Sequence, residues 1–275
     1  MLRSRVVPLA LAGALAVTPA VDAQSAYRSI AARPPGAAAK PTIVLVHGAF
    51  ANASGWDAVI RILQAKGYEV TAVENPLSSY AADVETTKRL IDAQTGPTVV
   101  VAHSYGGAVM TAAAAGNPNV KALVYLAAFA NDVDEPLGAL LEKYPSKALT
   151  AFRPDAAGFL TIDRAKFHDI FAQDLSLKQT NVMAATQKPL SNSAFTATTK
   201  AAAWRTTPSW FVVAQGDNVI NPDLERFFAK RMGAKTTEIN SSHVVFMSHP
   251  KEVAAIIESA ARAATTTTAS ARTQR

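Results

Sequence analysis

The sequence predicts an α/β fold in which helices flank a mostly parallel β-sheet. Short apolar runs alternate along the chain with segments whose apolar residues recur at helical spacing. Continuous apolar runs are typical of strands buried on both faces of a parallel sheet, and their alternation with helices predicts βαβ units. The predicted strands are residues 42–46, 68–73, 98–102, 120–127, 208–214 and 235–239.

The predicted helices fill the intervals between these strands. The first has its apolar residues on one face and stops at Gly67, and the helix after residue 104 is terminated by a Gly-Asn-Pro sequence. Pro222 opens a later helix, at a position that proline favours. The predicted helices are residues 54–66, 80–93, the segment from 105 to about 115, 223–232 and 250–263.

Residues 131–205 break this alternation of strands and helices, because they contain no continuous apolar run typical of a buried strand. Prolines at positions 136, 145, 154 and 189 break the segment into short amphipathic pieces. We predict a mostly helical insertion after the fourth strand, which lies above the sheet as a cap. Such a cap would narrow access to the sheet edge and exclude water from it.

Composition and charge exclude several classes of function. The chain has 275 residues, of which 49% are hydrophobic and 17% charged, so a single domain with a sizeable core is expected. The net charge of +6 comes from scattered residues without a basic run, which argues against nucleic-acid binding. The absence of cysteine excludes disulfides, metal–thiolate sites and a cysteine nucleophile.

Both ends of the chain are predicted to lie outside the folded domain. Residues 1–23 combine two arginines, a short apolar stretch and small residues before a cleavage point, which predicts a bacterial signal peptide and a periplasmic or secreted protein. A retained membrane anchor is the alternative. Residues 24–41 form a Pro/Ala-rich linker, residues 42–263 form the domain, and residues 264–275 form a polar tail expected to be disordered.

The third predicted strand leads directly into His103-Ser104-Tyr105-Gly106-Gly107 and then into an alanine-rich helix. A strand, a very tight turn and a helix in this order present a serine hydroxyl as a nucleophile above the sheet. The positions around the serine must be small, and Gly106 meets that need. Ala102 stands where the G-x-S-x-G pattern has its first glycine, which is a mild departure.

A serine nucleophile needs a histidine base and an acid that orients it. His243 follows the last predicted strand, and Asp217 follows the strand before it, so both belong at the carboxyl edge where sites of such sheets form. The chain order Ser…Asp…His is the one expected for this architecture. The alternatives are His249 for the base, and Asp132 or Asp134 for the acid.

Two backbone N–H groups are predicted to form an oxyanion hole. One is the N–H of Tyr105, directly after the serine, and the other is the N–H of Ala49. Ala49 belongs to the turn His47-Gly48-Ala49, which ends the first strand, and Gly48 allows the backbone to approach the site closely.

Residues 42–260 resemble the α/β-hydrolase superfamily, and within it the small single-domain group of plant methylesterases, hydroxynitrile lyases and bacterial relatives. The matching residues are Val44–Ala49, Ala102–Gly107, Asp217, Ser242-His243, Met247 and Pro250. The resemblance implies a core sheet of about six strands, a helical cap, no cofactor and no metal, and a Ser104–His243–Asp217 triad.

Two positions within that group bear on the reaction. The lyases carry threonine after the first motif histidine and lysine after the catalytic histidine, whereas this chain has Gly48 and Val244. We therefore predict a serine carboxylesterase for small to medium uncharged esters, with no nucleic-acid partner and no stable membrane insertion after signal cleavage. Alternatives are hydrolysis of an amide, lactone or carbon–carbon bond, and a ligand-binding protein with slow turnover.

Overall fold

A parallel β-sheet forms the centre of the computed structural model, which describes residues 40–273 and side chains up to residue 265. The predicted signal peptide and residues 24–39 of the predicted linker lie outside the described residues. The strands, in chain order, are β1 (Thr42–Val46), β2 (Val70–Val73), β3 (Thr98–Ser104), β4 (Val120–Ala128), β5 (Phe152–Pro154), β6 (Phe159–Ile162), β7 (Leu190–Ser191), β8 (Ser209–Ala214) and β9 (Lys235–Ile239).

Helices flank this sheet, as predicted. They are α1 (Asp57–Ala65), α2 (Tyr80–Asp92), α3 (Tyr105–Ala113), α4 (Leu137–Lys143), α5 (Phe167–Phe171), α6 (Leu177–Ala185), α7 (Pro222–Arg231), α8 (Val245–Ser248) and α9 (Pro250–Thr273). Short 3₁₀ segments occupy Ala53–Trp56, Lys147–Thr150, Asn192–Phe195 and Ala203–Arg205.

The main sheet has six strands in the order β2-β1-β3-β4-β8-β9, and every neighbouring pair is parallel. The α/β fold with a parallel sheet is therefore confirmed. β3 is buried along its whole length, which explains its unbroken apolar sequence. β9 is one of the two edge strands and is mostly exposed. Because all six strands run the same way, residues that follow β1, β3, β8 and β9 meet at one edge.

The insertion after β4 contains the helices that the sequence predicts and, in addition, a small sheet that it does not predict. It holds α4, α5 and α6, but also an antiparallel sheet in the order β5-β6-β7. These strands have three, four and two residues. A period-2 pattern needs more positions than that to stand out, so these strands carry no recognisable pattern in the sequence.

The last helix also runs further than expected. α9 continues to Thr273, through residues predicted to belong to a disordered tail, whereas its predicted end was residue 263. Its buried face persists up to Ala264, and no glycine or proline follows to stop it. Within the part of the chain that the structure describes, no helix combines the length and apolarity needed to cross a bilayer.

Candidate active site

Ser104 occupies the sharp turn between β3 and α3. Its backbone lies at φ 55° and ψ −129°, a conformation that a serine rarely adopts and that turns the chain from strand to helix within one residue. The surrounding backbone is crowded. A Cβ at Gly48 would lie 2.7 Å from Ser104 Cβ, and one at Gly106 would lie 2.5 Å from the carbonyl oxygen of His47. Glycine is thus required at both positions for this turn to close.

The three residues predicted as a triad form a continuous chain of hydrogen bonds. The Ser104 hydroxyl donates to His243 Nε2 at 2.9 Å. His243 Nδ1 donates to Asp217 Oδ2 at 2.5 Å. All three residues are buried, and they come from turns after β3, β9 and β8. The candidate nucleophile, base and orienting acid therefore meet at the carboxyl edge of the sheet.

Backbone contacts hold Asp217 in place. Its Oδ1 accepts hydrogen bonds from the N–H groups of Val219 at 2.6 Å and Ile220 at 2.9 Å, which leaves Oδ2 for His243. The alternative candidates are engaged elsewhere. Asp132 pairs with Arg205, Asp134 pairs with Lys200, and His249 bonds to Ser248 at the entry to α9.

Two further histidines support the turns without reaching the serine hydroxyl. His47 donates from Nδ1 to the carbonyl of Gly48 and accepts at Nε2 from the N–H of Asn75. His103 donates from Nε2 to the carbonyl of His243 at 2.9 Å. Burial lowers the pKa of His47, and burial together with the charge of His243 lowers the pKa of His103 well below its usual value. Both imidazoles are therefore neutral at pH 7.

The predicted oxyanion donors lie beside the serine. Ala49 and Tyr105 line one small cavity together with Ser104. Tyr105 is the first residue of α3, so its N–H belongs to the helical turn that lacks intrahelical acceptors. The positive end of the α3 dipole points toward the same place. This geometry is suited to negative charge on the oxygen of a carbonyl carbon to which Ser104 Oγ has bonded.

Two cavities flank the side chain of Phe50, which lines both. The small cavity has a volume of about 30 Å³, and its other walls are apolar side chains of the core and cap. The larger cavity has a volume of about 120 Å³ and is lined by His103, Val244 and mostly aromatic and methionine side chains. Neither is lined by a lysine, arginine, aspartate or glutamate. Both therefore suit uncharged groups.

The cap bonds directly to the loops that carry the acid and the base. Gln173 Nε2 donates to the carbonyl of Gly216 at 2.6 Å, next to Asp217. Asp174 Oδ2 accepts from the N–H of Ser242 at 2.8 Å, next to His243. The segment after α5 thus holds both loops, although nothing in its local sequence distinguishes it.

Sequence reasoning did not single out two buried acids near the site. Asp83 on α2 accepts from the Tyr105 hydroxyl at 2.7 Å and from the N–H of Leu77 at 2.8 Å, and burial raises its pKa. Glu225 on α7 is fully buried and accepts from the N–H of Ala214 at 2.9 Å. The signal that could have found them is a lone charge on the inner face of each amphipathic helix.

Among the residues that the structure describes, no group of three or more histidine, aspartate or glutamate side chains is arranged to bind a metal ion.

Comparison with known proteins agrees with this architecture. The model of the alpha/beta hydrolase family matches residues 43–256. The alpha/beta hydrolase nvfD of Aspergillus novofumigatus is 27% identical over 246 residues, which cover 81% of this chain and 97% of that protein.

Solved structures show the same fold. A pyrethroid hydrolase from Sphingobium faniae JZ-2 superposes with a TM-score of 0.71 at 21% identity, covering 81% of this chain and 97% of that one. Polyneuridine aldehyde esterase gives 0.70 at 17% identity, covering 80% and 99%. The match of the family model over most of the described residues establishes the relationship: this chain belongs to the alpha/beta hydrolase family.

Proposed function

We propose that this protein is a serine carboxylesterase that cleaves small to medium uncharged esters through an acyl-enzyme. The observation that carries the proposal is the buried hydrogen-bonded chain from Ser104 through His243 to Asp217. A serine hydroxyl is a weak nucleophile on its own, and an adjacent imidazole with a buried carboxylate behind it is the arrangement that activates it.

The proposed reaction has two halves. His243 Nε2 takes the proton of Ser104 while Oγ attacks the ester carbonyl carbon, and the resulting oxyanion is held by the N–H groups of Ala49 and Tyr105. The C–O bond to the alcohol then breaks, and His243 returns the proton to the leaving oxygen. Water attacks the acyl-enzyme by the same route and releases the acid. Asp217 fixes the imidazole tautomer and stabilises the imidazolium.

The surroundings of the serine support an uncharged substrate. The cavities beside Ser104 and His103 are lined by apolar, aromatic and a few neutral polar side chains, with no fixed charge to pair with a carboxylate or phosphate. Val244, which follows His243, is buried and apolar, so it offers no cation for a cyanide leaving group. These features favour ester hydrolysis over cyanohydrin cleavage.

The test is hydrolysis of p-nitrophenyl acetate, butyrate and octanoate by the full chain and by Ser104→Ala. Removal of the nucleophile is expected to lower kcat by about 10⁴-fold or more. Because the cavity at Ser104 is small, acetate should be the best of the three substrates.

Ser209→Ala is the matched control, since Ser209 is a buried serine of β8 whose hydroxyl bonds only to the Thr207 carbonyl in the described contacts. It should keep wild-type activity. Equal rates for Ser104→Ala and the wild type, with both proteins folded by circular dichroism, would exclude the esterase proposal.

A further inference from the structure

The two cavities that share Phe50 differ in size and in which residues of the site line them. The small one contains Ser104 and both proposed oxyanion donors. The larger one adjoins the base, because Val244 follows His243 in the chain and Phe171 packs edge-on against the His243 ring at 5.1 Å between centroids. An ester carbonyl placed at Ser104 therefore has one cavity on its serine side and the other on its histidine side.

Phe50, which lines both cavities, is held in place by its backbone and by its ring contacts. Phe50 adopts φ 62°, an uncommon conformation for an aromatic residue, and its carbonyl accepts from the N–H of Lys188 in the cap. Its ring packs against Phe152 at 5.9 Å and Phe171 at 6.5 Å. Strain of this kind persists only where the surrounding contacts require it, so Phe50 is held in one position where the two cavities adjoin.

The larger cavity has the size and lining for one aromatic ring. An apolar cavity of about 150 Å³ holds benzene, and this one measures about 120 Å³ and opens toward solvent past Ser54 and Thr186. Aromatic rings and the thioethers of Met183 and Met247 contribute to its walls, and both surfaces bind flat rings well. The small cavity, at about 30 Å³, has room for about one methyl-sized group.

We propose that the larger cavity binds the alcohol portion of the substrate and that this portion carries an uncharged aromatic ring, while a short acyl group occupies the small cavity. This inference rests on the proposed esterase function. The assignment of the two halves follows from proton transfer. The leaving oxygen must receive its proton from His243, so the alcohol lies on the histidine side of the carbonyl. The preferred substrates are arylmethyl or aryl esters of short acids.

The experiment compares benzyl acetate with methyl phenylacetate, two isomers in which the ester is reversed. The structure predicts a kcat/KM at least about tenfold higher for benzyl acetate, in the range that one misplaced hydrophobic group costs. An equal or reversed preference, with p-nitrophenyl acetate still hydrolysed, would overturn the inference and leave the esterase proposal intact. Failure to hydrolyse all three esters would instead count against the esterase proposal.

Two matched variants test which cavity holds each half of the ester. Leu141→Ala enlarges only the small cavity and should raise methyl phenylacetate hydrolysis relative to benzyl acetate. Met183→Ala enlarges only the large cavity and should extend the alcohol preference to naphthylmethyl acetate. Identical selectivity in the two variants would contradict the assignment of the halves.

A binding measurement tests the site without turnover. Benzyl alcohol is titrated into Ser104→Ala that carries labelled methionine methyl groups. The methyl signals of Met183 and Met247 should shift, and the other three methionines should not. Absence of these shifts would overturn the inference whatever the enzyme activity.

Discussion

The carboxyl group of Glu225 lies against that of Asp217, and both are buried away from water. Burial, reinforced by the charge of Asp217, raises the pKa of Glu225 well above its usual value. Arg226 is the remaining charged group that acts on Glu225, and its guanidinium forms surface ion pairs with Asp223 and Glu238. The folded protein therefore favours the protonated form of Glu225.

Replacement of Glu225 by glutamine should make the free energy of unfolding less sensitive to rising pH. The unfolded glutamate loses its proton above pH of about 4.3, whereas the folded one keeps it, so wild-type stability falls by about 1.4 kcal/mol per pH unit from there up to the raised pKa. Glutamine has no proton to lose. The free energy of unfolding of E225Q should therefore exceed that of the wild type by an amount that grows with pH.

Urea unfolding at pH 4, 5, 6 and 7 measures this difference. Activity at neutral pH should change little in E225Q, because the amide resembles the protonated acid in shape and charge. Parallel stability curves for the two proteins would mean that Glu225 is ionised in the folded state.

Asp217→Asn should lower kcat by about 10⁴-fold while the protein stays folded, because the amide favours the wrong tautomer of His243. Asp132→Asn is the comparison, since Asp132 follows β4 but pairs with Arg205 at the surface. That variant should retain near-wild-type kcat and lose at most about 1 kcal/mol of stability. Rates of p-nitrophenyl acetate hydrolysis decide between the two acids, and a larger loss from Asp132→Asn would refute the present assignment.

Gly48→Ala should impair catalysis more than folding. The added methyl would meet Ser104 Cβ at 2.7 Å and the His103 carbonyl oxygen at 3.0 Å, so the serine turn must shift. A displacement of this size at a reacting group costs on the order of 10²-fold in kcat. At Gly96 nothing lies within 4 Å of the new methyl, so Gly96→Ala should leave both kcat and thermal stability unchanged. Steady-state kinetics and thermal unfolding of both variants separate the two effects.

Tyr105→Phe should destabilise the protein by about 1.5–3 kcal/mol, because it removes the hydroxyl that donates to the buried carboxyl of Asp83. The double variant with Asp83→Leu should recover part of that loss, since it leaves no unpaired carboxyl. Urea unfolding of the single and double variants gives the coupling energy. Additive losses would show that the hydroxyl and the carboxyl do not interact.

Most of the sheet could be predicted from sequence because its central strands are contiguous apolar runs. β1 and β3 are buried on both faces, so every residue carries the signal, and even the exposed edge strand β9 was found at its observed bounds. The spatial proximity of Ser104, His243 and Asp217 could be predicted for a related reason. Each follows a strand of the same parallel sheet, and parallel strands bring their carboxyl ends to one edge.

The contacts around the site could not be predicted, because they join residues far apart in the chain. Asp83 and Tyr105 are 22 residues apart, and the Gln173–Gly216 bond spans 43 residues. The inner face of α2 illustrates the difficulty: its buried positions include Asp83 and Thr87, which hydropathy assigns to solvent. Only the tertiary arrangement supplies the partners that make burial of such groups tolerable.

Gln173 and Asp174 in the cap form hydrogen bonds with the loops that carry Asp217 and His243. These bonds link access to the serine to the alignment of the residues beside it. A cap that swings away to admit a substrate must release the carbonyl of Gly216 and the N–H of Ser242 together. The loops that present acid and base then lose their outer support while the site is open to water. Entry of a substrate and alignment of the acid and base loops therefore depend on the same two hydrogen bonds, so weakening either bond would change both at once.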